Sequence, residues 1–273
     1  GDFDIDGLLT AKDGKLSVTA PDLTDVAAKD LAFTAKTGDI TVAWQAGVGA
    51  SGAVTLAAGT DVEVEYFGAV AAAKDLTVTA GKDIKAVYDS VAVANGASKF
   101  IAGNDFLVTE GSKVESKGDM TIWANNDVTI EKSSRLGTSG ELQIGQIGAV
   151  DETTHMAKLD VKVASVLVDN NSVVETAKDA TVNAAGSVTV QQNSMWKTGV
   201  IDWDYANPSA KPTRIGDAAD LTIVAGGDVV VQNTAAMGAS GKATITASGD
   251  NGIAVQNSAY LVSKDAMTIA ADK

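Results

Sequence analysis

The sequence predicts an all-β chain wound as a long parallel β-helix of about twelve turns, and three observations carry that prediction. A strand-like phrase recurs along the whole chain. Apolar and polar residues alternate within each copy of the phrase, which is the two-residue period of a strand rather than the 3.6-residue period of a helix. Proline is nearly absent, with Pro21, Pro208 and Pro212 the three in 273 residues. Stacked strands require this, because proline withholds a ladder N–H.

The repeated phrase has the form Gly/Lys-Asp, apolar, Thr, apolar, x, Ala. It reads KLSVTA at Lys15–Ala20, KDLAFTA at Lys29–Ala35 and KDLTVTA at Lys74–Ala80. Later copies are GDMTIWA at Gly118–Ala124, KDATVNA at Lys178–Ala184, DLTIVA at Asp220–Ala225, KATITA at Lys242–Ala247 and DAMTIAA at Asp265–Ala271. In LTVTA the Leu, Val and Ala share one face and the Thr pair shares the other. A second phrase follows after a short turn, as DITV at Asp39–Val42, DVEV at Asp61–Val64, DVTI at Asp127–Ile130 and DVVV at Asp228–Val231. A third, looser strand follows that, as in VQNSAYLV at Val255–Val262. Gly, Asn and Asp between the phrases supply turns through positive φ and local side-chain hydrogen bonds. First strands are expected to start at Leu16, Leu31, Val54, Leu76, Phe100, Met120, Leu142, Leu159, Ala180, Leu221, Ala243 and Met267. The usual spacing is about 20–24 residues per turn, within one β-helix domain spanning 1–273.

Composition fits this architecture. Apolar residues make up 45% of the chain but aromatics only 5%, so Val, Ile, Leu and Ala must fill a narrow core. Lys plus Arg is 21 against 35 for Asp plus Glu, a net charge of −14. That balance argues against nucleic acid as a partner and against an anionic membrane surface. There is no cysteine, which excludes disulfides and thiolate metal sites. No apolar run reaches membrane-spanning length, so no membrane insertion is expected.

The phrases Ala80–Ile84 (AGKDI), Leu76–Asp83 (LTVTAGKD) and Ala225–Asn233 (AGGDVVVQN) resemble the repeats of filamentous haemagglutinin-like proteins, long secreted adhesins and contact-dependent toxins of bacteria. The resemblance covers nearly the whole chain. It implies a right-handed β-helix, export to the bacterial cell surface or the extracellular space, and an adhesive or stalk role. The secretion domain of that family has no recognisable counterpart here. The chain is therefore expected to be a middle piece of a longer protein or a subunit of a polymer. Neither end carries a capping pattern, so end-to-end stacking is expected, on further turns or on a neighbouring copy.

The repeat leaves few candidates for chemistry. Gly-Asp and Lys-Asp recur at turn after turn; the Asp residues are read as turn caps, with calcium bridging as the alternative. Gln-Asn-Ser/Thr occurs at Gln192–Ser194, Gln232–Thr234 and Gln256–Ser258, and Asn193, Asn233 and Asn257 are expected to form a hydrogen-bonded structural ladder. Full Thr-x-Thr pairs occur only at Thr77/Thr79 and Thr244/Thr246, too few for an ice-binding row. The lone His155 sits in an irregular stretch and cannot make a common zinc site. No nucleophile elbow, phosphate loop or dinucleotide fingerprint is present, so no enzymatic activity is expected. One segment breaks the rhythm: Met195–Ile215 is read as an insertion at about 195–215. It holds two of the four Trp and two of the three Pro. Aromatics beside acids stack on sugar rings and bind their hydroxyls, so Trp196, Asp202, Trp203, Asp204 and Tyr205 are the candidate residues for a cell-surface glycan. The alternative is a carbohydrate-binding or polysaccharide-degrading protein of the pectin lyase-like type.

Overall fold

In the computed structural model, residues 7–11, 16–18, 30–145, 162–202 and 213–271 are described. Among them the alternating phrases form strands stacked into three parallel sheets, of eleven, ten and nine strands, with no helix. The architecture is a parallel β-solenoid of about ten turns, close to the expected count. A typical turn is Leu76–Ala80 in the first sheet, Ile84–Ala86 in the second and Val91–Ala94 in the third. Each strand pairs with its own copy in the turns above and below, so Val54, Leu76, Ser98 and Met120 form one row.

Alternation decides which rows enter the core. Leu76, Val78 and Ala80 are buried while Thr77 and Thr79 are half-buried on the outer face. The inward residues form one continuous apolar interior from Leu31 to Ala247. Bulk is balanced within a turn. Phe100 and Phe106 pack with ring centroids 5.2 Å apart, and the first inward position of that turn is Ser98 where its neighbours carry Leu76 and Met120. Such compensation is what a close-packed interior demands.

The corners are built by special residues. Between the second and third sheets every turn from Trp44 onward has a residue in the left-handed region, followed by a second one. The N–H of the second residue donates to the carbonyl of the first one in the next turn, as Phe67 does to Tyr88 and Asn171 to Gln192. After this pair comes a buried row of Ser90, Ser112, Ser134, Ser172 and Ser194. Its hydroxyls serve the preceding turn: the Ser90 N–H donates to Ser112 Oγ (3.2 Å) and the Ser172 N–H to Ser194 Oγ (3.1 Å).

Three of the expected strand starts move. The strand holding Phe100 opens two residues earlier, at Ser98. Leu16 opens a second-sheet strand, Leu16–Val18, and the first sheet instead begins at Gly7–Ala11. Leu159 lies outside the described residues, and the first sheet runs directly from Leu142–Ile144 to Ala180–Ala184. One turn there takes 38 residues instead of 22, which marks a second excursion in place of the turn expected at Leu159. His155 lies in this excursion, also outside the described residues.

Candidate functional site

The expected insertion is a hairpin, and it starts later than its sequence suggests. Met195–Thr198 continues the repeat, pairing with Val173–Thr176 on one side and Ala236–Ala239 on the other. Gly199, at φ 72°, then turns the chain outward. A Cβ there would collide with Ser240 and Ala219, so the exit needs glycine. Val200–Asp202 pairs antiparallel with Thr213–Ile215, and Gly216, at φ 87°, leads back to the repeat.

This geometry corrects the role expected of Trp196. Its side chain is wholly buried, in a row with Val174 and Met237, so it fills the core and faces no ligand. The same turn carries Ala180 at its first inward position, a small residue opposite a large one. Asp202 is placed by its backbone in the hairpin, while Trp203, Asp204 and Tyr205 lie outside the described residues.

The Asn row is also adjusted. The Asn257 amide donates to Asn233 Oδ1 at 2.9 Å, as a structural ladder requires. Asn193 is one residue out of step: Gln191 aligns with Gln232, so Asn193 meets Thr234, whose hydroxyl donates to its Oδ1. The better ladder is glutamine. Gln232 donates to Gln191 at 2.6 Å and Gln256 to Gln232 at 2.7 Å. Gln232 and Gln256 open their Gln-Asn phrases, whereas Gln191 lies one residue before the first phrase.

The Asp residues cap turns between layers. The N–H groups of Ala97, Glu141 and Lys242 donate to Asp75, Asp119 and Asp220 at 2.8, 2.9 and 2.7 Å. At the next corner Asp61, Asp83 and Asp105 stack in one row, each accepting the N–H of the Asp in the following turn. Among the described residues no three acidic or histidine side chains converge on a metal position. Lys85 tempers the like charges, lying 3.1 Å from Asp83 and 3.9 Å from Asp61. Burial alone would raise the Asp83 carboxyl, but hydrogen bonds from Asn104, Lys85 and the Asp105 N–H outweigh it and hold it below its usual value. Glu63 moves the other way: partial burial, then the charge of Glu65, raises its pKa.

A groove of about 380 Å³ runs along the third sheet beside the hairpin. Gly137 occupies the outward position between Glu115 and Glu175 in adjacent turns. Arg135 lies across the space this glycine leaves, with Nε 2.8 Å from Glu115 and Nη2 3.3 Å from Glu175. Val93 and Val200 supply apolar walls. Two carboxylates and a guanidinium beside apolar carbon can satisfy a polyhydroxylated ligand.

A second surface of interest is the last described turn. Ile269 is 53% exposed, whereas its partner Ile245 one turn earlier is fully buried. Val255 and Met267 are likewise exposed below the buried Val231 and Ala243. Comparison with known proteins returns no matching family model, no matching curated protein and no matching solved structure.

Proposed function

We propose that the chain is a non-enzymatic, rod-forming segment of a filamentous haemagglutinin-like bacterial surface protein or extracellular filament, and that it lengthens by turn-on-turn stacking. The observation that supports this reading is the stacking of repeated strands, copy upon copy, into three parallel sheets around one continuous apolar interior. A solenoid of this kind extends by adding turns of the same pattern, from the same chain or a second copy. Eleven stacked first-sheet strands at about 4.8 Å per layer make a unit of roughly 5 nm.

The test is electron microscopy and light scattering of the purified chain over a range of concentrations. Rods that grow in steps of about 5 nm are expected. A monodisperse monomer throughout would overturn self-stacking, leaving only the role of a stalk segment.

A second reading is favoured by the groove at Gly137, which suits a neutral glycan. Loss of glycan binding in Arg135→Ala would support it. Turnover of a polysaccharide that is lost in Glu115→Gln would instead favour the polysaccharide-degrading alternative.

A further inference from the structure

The first position of the left-handed corner between the second and third sheets changes chemistry along the axis, from aromatic through Glu110 and Lys132 to amide. In the later turns its first position holds Asn170, Gln192, Asn233 and Asn257, residues whose short or amide side chains tolerate this backbone. In the earlier turns the same position holds Trp44, Tyr66 and Tyr88, at φ 51°, 49° and 55°. Phe67 occupies the second position, at φ 62°. Four bulky aromatics thus sit where the backbone disfavours them, and they do not reach the core. Trp44 is 69% exposed and Phe67 59%. Neither local conformation nor burial accounts for these residues, and strain of this kind clusters at functional sites.

Their geometry makes a platform. The Trp44 and Tyr66 rings lie 5.0 Å apart at 10°, and Tyr66 and Tyr88 lie 4.4 Å apart at 9°. The three rings are nearly parallel and stack in one row down the corner, with Trp44 and Tyr88 exposed at its ends. The surroundings are acidic. Glu63 and Glu65 lie on the Tyr66 turn, Asp89 follows Tyr88, and Glu110 is the next residue in the row. The nearby Lys85 is held by Asp83 and Asp61, and Lys132 pairs with Glu110 and Glu131. The Tyr66 phenol is harder to ionise than usual, first through desolvation and then through Tyr88, Glu65 and Glu110.

We propose that this aromatic corner, Trp44–Tyr66–Phe67–Tyr88, binds an arginine-bearing basic peptide segment of a partner protein. A guanidinium is planar, stacks on an open ring face, and is drawn by the surrounding carboxylates. A neutral sugar would gain from the rings but not from the charge, and an anionic glycan would be repelled. The inference does not depend on the stacking reading or on the groove at Gly137.

The test is fluorescence anisotropy with the full chain. The probe is a labelled short peptide of alternating Arg and Gly. A counterpart with citrulline in place of Arg keeps the shape and removes the charge. The key variant is Trp44→Asn/Tyr66→Asn/Tyr88→Asn, which installs the residue the later turns use and leaves the net charge unchanged. The arginine peptide should bind, the citrulline peptide should bind about tenfold or more weakly, and the variant should lose about tenfold or more. Tyr88→Asn alone, at the end of the stack, provides a milder variant if the triple one does not fold. Absence of binding overturns the proposal. So does equal binding by the folded variant, since attraction to the acidic surface would then suffice. Tighter binding of a neutral pentasaccharide, lost in the same variant, would reassign the corner to glycans.

Discussion

At the scale of single residues, the decisive quantity is which side of the wall a side chain occupies. Trp196 and Trp44 are both tryptophans, yet one is wholly buried and the other largely exposed. Trp196 follows the alternation of a strand; Trp44 sits at a corner, where alternation breaks. Trp196→Ala should therefore cost about 3–5 kcal/mol, as for other buried aromatics, read as a lower urea midpoint. A purely ligand-facing tryptophan would leave that midpoint unchanged. Glu63 offers a charge test. Its folded pKa is raised, by partial burial and then by Glu65, so the folded state tolerates its ionised form less well than the unfolded chain does. The resulting penalty is full above the raised folded value. It diminishes as pH falls towards the unfolded value and is absent below it. Glu63→Gln should accordingly raise the melting temperature at pH 7, with the gain vanishing at pH 3. An equal gain at both pH values would show that charge is not the cause.

At the scale of elements, the repeat tolerates appendages because each turn contacts only its neighbours. From Asp179 to Asp220 the chain takes 41 residues where a regular turn takes 22. Register places the excess between Gly199 and Ala219. Removing Val200–Ala218 would leave Thr198-Gly199-Ala219-Asp220-Leu221, which matches Thr176-Ala177-Lys178-Asp179-Ala180 one turn earlier. The deleted chain should keep the β-sheet circular dichroism of the parent and unfold within a few degrees of it. Loss of folded signal would mean that the hairpin holds the turns together. The wall itself draws on ladders of Gln, Ser and Asp rather than on ion pairs. Pairs such as Arg135 with Glu115 are half-exposed, where such contacts contribute little to stability.

At the scale of the molecule, stability is distributed along one axis. Interior turns are covered on both sides, whereas the turn spanning Ile253–Ala271 is covered on one. Hydrogen exchange should be slowest in the layers around Phe100 and Phe106 and fastest in that last turn. Under conditions where rods form, the last turn should become protected, because stacking would cover its open row. Uniform exchange along the axis would contradict a nearest-neighbour solenoid.

The sequence by itself determined the strand phrases, their roughly 22-residue spacing, the parallel stacking and the division of each strand into core and outer faces. These are local properties: alternation and turn residues act within a few positions. What only the tertiary structure decided depends on distance along the axis. The match of Gln191 to Gln232, the displacement of Asn193 to Thr234, and the loss of Leu159 as a turn all follow from the lengths of excursions between copies. The same is true of the aromatic corner. Trp44, Tyr66 and Tyr88 are 22 residues apart, and nothing local to any one of them shows that they stack. Layers about 4.8 Å apart bring them together, and that spacing belongs to the solenoid rather than to any segment of it.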